Sequence, residues 1–213
     1  MSCRIRIMTK SDIIQVTAID REAFPTMWPP VNFTNELNNR LAHYVVACDG
    51  FIQPENQPQP AIRLVPVRSF LGIRWPFNRS EPQSKTPVDY IIGFVGMWMM
   101  VDEVHIINLA VRESMRGKGI GETLLIASID TAFKLRAALV TLEVRASNVV
   151  AQNLYLKYGF HKMGIRKAYY TDNKEDAWIM TTDIITSDGF KKSFWHNKEE
   201  HFRKQGDIEY LMS

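Results

Sequence analysis

The chain reads as one mixed α/β domain, and three observations carry that reading. Segments of period-two hydrophobicity alternate with segments of helical spacing along most of its length. Two apolar runs, one starting at Tyr90 and one covering VHIINLAV, flank a turn at Val101 to Glu103 and predict an antiparallel hairpin. A glycine-rich turn, RGKGIG, then opens a long amphipathic helix. With 213 residues, 46% of them hydrophobic and 23% charged, the chain is long enough for one substantial core.

In chain order, residues 3–8 alternate as a short strand, and Thr9 to Phe24 carries Ile13, Val16, Ile19 and Ala23 at helical spacing behind polar capping residues. Pro25, Pro29 and Pro30 end that helix. Tyr44 to Cys48 is a strand. Seven of the ten prolines fall between Asp49 and Asp89 (Pro54, Pro58, Pro60, Pro66, Pro76, Pro82 and Pro87), so an inserted loop is expected over about 50–88. Within it Arg63, Arg68, Arg74 and Arg79 interleave with Leu64, Phe70, Leu71, Trp75 and Phe77. That mixture suits a membrane surface, an RNA or a protein partner, or equally an apolar cover folded back on its own domain.

After the hairpin, Gly121 to Arg136 places Leu125, Ile129, Ala132 and Phe133 on one helical face. The strand LVTLEV follows, then a helix from Asn148 to Tyr158 with a stripe of Val150, Leu154 and Tyr158, then strands near Phe160 to Lys167 and Ala177 to Asp183. The expected domain is therefore 1–186, with a charged extension over 187–213 that forms a helix or frays and carries Phe190, Phe194 and Trp195.

Composition removes several function classes. No run approaches the ~20 apolar residues of a membrane-spanning helix, and MSCRIRIMTKSD has no apolar signal core, so a cytoplasmic protein is expected. Cys3 and Cys48 lack the spacing of a zinc site or disulfide framework and read as packing residues, so no metal is expected. A net charge of +3 is compatible with an acidic cosubstrate or with nucleic acid and compels neither.

The chemistry-bearing feature is the strand, polar turn and helix around RGKGIG. Glycines let the N–H groups of residues 117–121 converge, the helix dipole adds attraction for a diphosphate, and Arg116 and Lys118 add charge. A Walker loop does not fit, because Lys118 is followed by Gly119 and position 112 is Arg. A dinucleotide fingerprint needs G-x-G-x-x-G, whereas Gly117, Gly119 and Gly121 are spaced by two. Glu143, about twenty residues on, imitates that fold's ribose-binding acid and keeps a dehydrogenase open, although an antiparallel hairpin upstream is foreign to a parallel dinucleotide-binding sheet.

Several linked segments, NLAV, RGKGIG, TLEVRASN, AQNLYLKYGF, IRKAYY and EDAWIM, with EAFP near the start, resemble the GNAT superfamily of N-acetyltransferases. Within it they are similar to the ribosomal-protein-alanine acetyltransferases. The resemblance implies the GNAT fold, a mixed twisted sheet with splayed central strands flanked by helices, and acetyl-CoA as cosubstrate without a metal. It implies that Leu109, Ala110 and Val111 hold the pantetheine arm, that Arg116, Gly117, Lys118, Gly119, Ile120, Gly121 and Glu122 take the diphosphate, and that Asn148 both caps its helix and touches the cosubstrate. It makes Glu143 the general base, Tyr155 the general acid, and Tyr169 and Tyr170 the lining of the peptide entrance. The insertion and the C-terminal extension depart from the family pattern.

The resemblance implies a protein N-terminus as acceptor, an alanine of a ribosomal protein, with no direct nucleic-acid contact. Elementary titration agrees, since an α-amine is roughly 15% neutral at pH 7 and a lysine about 0.04%, a difference of about 3.5 kcal/mol. A lysine side chain or small-molecule amine is the alternative acceptor, and a non-catalytic binding module on the same scaffold is the alternative of another class.

Overall fold

The computed structural model describes residues 3–26, 30–52, 88–206 and 208–212. The arginine-aromatic segment expected as an inserted loop lies almost wholly outside them. Strand β1 (Cys3–Ile7) leads through a short 3-10 turn into helix α1 (Ile13–Ala23), and α2 (Phe33–Glu36) follows. Strands β2 (Ala42–Ile52), β3 (Val88–Met100) and β4 (Glu103–Val111) form a meander. Helix α3 (Ile120–Lys134), β5 (Leu139–Arg145), α4 (Val149–Lys157), β6 (Phe160–Tyr170), β7 (Glu175–Thr182), α5 (Asp188–Gln205) and β8 (Ile208–Leu211) complete the chain.

All eight strands join one sheet in the order β6-β7-β5-β4-β3-β2-β1-β8. Two pairings are parallel, β4 with β5 and β1 with β8, and the rest are antiparallel. Alternation explains how both faces are covered. Along β2, Val45 and Ala47 enter the core beneath α3, while Tyr44, Val46 and Cys48 enter a second core with Val16, Ile19 and Phe33 of α1 and α2. Central strand β3 is buried without a break from Ile91 to Met97, as a strand covered on both faces must be. Arg6 fixes the opening of α1 to the sheet, with its guanidinium bonded to Asp12 at 2.7 and 2.9 Å and to Asp89 at 2.8 Å.

The structure moves three boundaries. The β2–β3 ladder continues to Phe51↔Asp89 and Ile52↔Val88, so regular structure extends past Cys48 at one end and starts before Tyr90 at the other. Register shifts after Ala47 and Cys48, together with Gly50 at φ 66°, break the two-residue period by which a strand is read. In α4, Val150 is 84% exposed, and the buried side chains are Gln152 and Tyr155, with Tyr158 just past the helix end. Of the expected stripe, Leu154 and Tyr158 pack on the core and Val150 does not, because the start of α4 stands at the mouth of a cleft. The segment after Ser187 is a full helix plus a strand, with Phe190 and Phe194 in the main core and β8 paired to β1.

Candidate active site

The site originates in a strand defect. Gly96 pairs with Asn108 and Met97 with Ile106, so Ile107 is an extra residue on β4. A bulge bends its strand, and Gly96 permits the close approach opposite it, since a Cβ there would collide with Asn108 and Tyr44. The parallel β4–β5 ladder runs only from Glu103↔Leu139 to Ile106↔Leu142. Beyond that point the strands diverge, and the β5-facing edge of residues 107–111 is left without a strand partner while β3 still holds the other edge. A cleft of ≈ 550 Å³ fills the gap.

Leu109, Ala110 and Val111 line one wall of this cleft and Leu142 to Arg145 the other, with Asn148, Val150, Tyr155, Tyr169 and Tyr170 around them and Arg116 at one end. Glu143 is thus brought to the point of divergence. Burial pushes its carboxyl up, but His105 Nε2 at 2.6 Å from Oε2 and Arg166 at 3.0 Å from Oε1 pull it down further, so it stays a carboxylate below the ordinary range. Arg145 is not its partner. That guanidinium binds Asp172 and Glu175 and lies 3.9 Å from the centre of the Tyr170 ring, pinning the β6–β7 hairpin.

Tyr155 belongs both to the core and to the cleft lining. Burial, then the neighbouring Tyr170, raise its phenol to about 12, so it keeps its proton throughout the physiological range. Tyr169 and Tyr170 meet edge-on at 5.2 Å. Asn148 caps α4 by accepting from the Ala151 N–H at 3.1 Å.

The diphosphate-type loop sits at the other end. Gly117 and Gly119 have φ of 75° and 79°, and Gly119 is the N-cap of α3. The Thr123 N–H is bonded to the Gly119 carbonyl at 3.0 Å, so the N–H groups of Ile120 to Glu122 precede the first intrahelical bond and point outward. Ile120 is buried and anchors the loop, whereas Gly121 has room for a methyl at ordinary contact from Val111 and Leu109. Arg116 donates to the Val111 carbonyl, and Lys118 is exposed beside Met115. The Glu122 side chain turns away into the protein, where it accepts from Lys157 at 2.6 Å and Tyr158 at 2.7 Å. A bare strand edge leading to a helix N-terminus suits a long acyl carrier ending in a diphosphate.

Sequence reasoning passed over His105 and Arg166, the two groups that hold Glu143. His105 stands on β4 opposite Thr141, and only the parallel pairing of strands far apart in sequence reveals that neighbourhood. The cysteines fit the packing assignment. Both are buried, and burial raises their thiols to about 11 and about 12.

Comparison with known proteins agrees with this geometry. Residues 74–160 match the acetyltransferase (GNAT) family model. The chain is 32% identical over 182 residues to a Bacillus subtilis (strain 168) protein assigned as a ribosomal protein bS18-alanine N-acetyltransferase, covering 84% of this chain and 95% of that one. It is 31% identical over 183 residues to an N-alpha-acetyltransferase of Sulfurisphaera tokodaii, covering 85% and 93%. Among solved structures, the ribosomal-protein-S18-alanine N-acetyltransferase from Escherichia coli superposes with a TM-score of 0.61 at 24% identity, over 85% of this chain and 94% of that one. The chain therefore belongs to the acetyltransferase (GNAT) family, as an acetyl-CoA-dependent N-acetyltransferase.

Proposed function

We propose that this enzyme acetylates the α-amine of a protein, an N-terminal alanine of a ribosomal protein, in the cytoplasm. The observation that carries the reading is the Glu143 carboxylate, lining the cleft at the divergence of β4 and β5 with His105 at 2.6 Å and Arg166 at 3.0 Å. An α-amine, already partly neutral in solution, asks less of a carboxylate base than a lysine does. The Bacillus subtilis and Sulfurisphaera tokodaii relatives support the same acceptor class.

In this reading Leu109, Ala110 and Val111 pair with the pantetheine arm, residues 116–121 and the Glu122 N–H take the diphosphate, Asn148 flanks the arm, and Tyr169 and Tyr170 shape the peptide entrance. Acetyl-CoA supplies an activated thioester. Glu143, directly or through a water, takes the proton of the attacking amine, and His105, bonded behind it and part-exposed, passes that proton toward solvent. A backbone N–H on the bare β4 edge steadies the thioester oxygen as it gains charge. The carbon–sulfur bond breaks as the carbon–nitrogen bond forms, and the Tyr155 hydroxyl supplies the proton to the departing sulfur.

Glu143→Gln and Tyr155→Phe should each slow transfer to an alanine-starting peptide by about a hundredfold or more, the usual contribution of a general base or acid. Steady-state rates, with folding checked by circular dichroism, decide it. Unchanged rates in both variants would remove these residues from the mechanism.

A further inference from the structure

The C-terminal helix reaches the loop assigned to the diphosphate. Helix α5 lies beyond the stretch matching the family model. It is rooted in the core by Phe190 and Phe194, whose rings meet Phe133 near the end of α3 at 6.4 and 5.5 Å. From there it runs antiparallel to α3, one contact per turn. Lys198 meets Asp130 at 2.6 Å, His201 Nε2 meets the Thr123 hydroxyl at 2.8 Å, and the Gln205 carboxamide lies against Gly119.

The last two contacts bear on the loop itself. The Gly119 carbonyl accepts from both the N–H and the hydroxyl of Thr123, at 3.0 and 3.2 Å. In a trans peptide the C=O and the following N–H point in opposite directions. Fixing the Gly119 carbonyl therefore aims the Ile120 N–H out of the helix end, where an anion would meet it. His201, 3% exposed, holds Thr123 from behind, and its Nδ1 stands 3.4 Å from Glu122 Oε2, helping to draw that carboxylate away from the same helix end. Gln205 occupies the space where a Cβ on Gly119 would stand, backing the left-handed turn.

We propose that the last turns of α5 clamp the diphosphate loop, with His201 and Gln205 as positioning residues that set affinity for the nucleotide-diphosphate end of acetyl-CoA. This rests on the reading of residues 116–122 as the diphosphate site. The C-terminal extension is then part of cosubstrate binding, a role that RGKGIG and its flanking strand do not disclose.

The test compares acetyl-CoA with acetyl-pantetheine, which carries the same thioester but no diphosphate, in the full-length chain and in Gln205→Ala and His201→Phe. Each variant should lower kcat/KM for acetyl-CoA about five- to tenfold, through KM, the size expected for losing one or two supporting hydrogen bonds or contacts. The ratio of acetyl-CoA to acetyl-pantetheine efficiency should fall with it. A proportional loss with both donors would show a merely structural role, and no change with acetyl-CoA would equally overturn the clamp. Should His201→Phe unfold, Gln205→Ala decides, because its half-buried side chain lies outside the core. A wild-type enzyme indifferent to the diphosphate would overturn the underlying loop assignment, a result distinct from any effect of the variants.

Discussion

Burial pushes both Glu122 and Glu143 toward neutrality, and in both the neighbours win. Glu122 is held at about 2 by His201, Lys157 and Tyr158, against an ordinary 4.5. Its folded pKa is depressed, so the stabilisation it gives is complete above about pH 4.5 and is lost as pH falls toward about 2. Partial exposure and solvent screening keep the effect modest. Glu122→Gln should therefore lower the melting temperature at pH 7 while flattening its decline across that acid window. A decline as steep as wild type would remove Glu122 from the linkage. His105 is tied to Glu143, and His105→Phe should reduce kcat about tenfold or more with little effect on peptide KM, the pattern of a lost proton-handling group. A KM effect alone would reassign it to substrate binding. That Glu143 lies on an alternating strand was legible in the sequence. Its partners were not, because strand order, not sequence, sets His105 across from Thr141 and Arg166 within reach.

At the scale of elements, the three glycines around the start of α3, Gly117 and Gly119 before it and Gly121 in its first turn, are not equivalent. Gly119 needs its left-handed φ and has Gln205 where a side chain would begin, whereas Gly121 has no positive φ and has open contact distances. Gly119→Ala should cost about 1–2 kcal/mol from backbone strain alone, lowering the melting temperature by about 2–8 °C for a chain of this size. Gly121→Ala should leave the melting temperature within about 2 °C, as an unstrained surface change does. Calorimetry on the pair checks it, and equal losses would contradict the distinction. The sequence showed this loop, α1, the β3–β4 hairpin and α3 because each carries a long uninterrupted period or a capping signal. It misplaced Val150 of α4, which faces the cleft, and did not show that Tyr155 is shared between the core and the cleft. It also cut β2 short, where Gly50 and two register shifts interrupt the alternation.

At the scale of the whole molecule, the cleft follows from one divergence in an eight-stranded sheet, at the extra residue Ile107 and the end of the β4–β5 ladder at Ile106↔Leu142. Helices cover both faces of that sheet, α5 carries the C-terminal segment to the loop, and β8 pairs with β1 to become the edge of the sheet. The aromatic residues Phe190 and Phe194 were legible in the segment after Ser187, but not their docking on α3 or the pairing of β8 with β1, which depend on contacts distant in sequence. The most direct test of the whole account is fragment-mass mapping of an alanine-starting peptide with one internal lysine after incubation with acetyl-CoA and the enzyme. The account predicts acetate on the α-amine. Acetate confined to the lysine would contradict it.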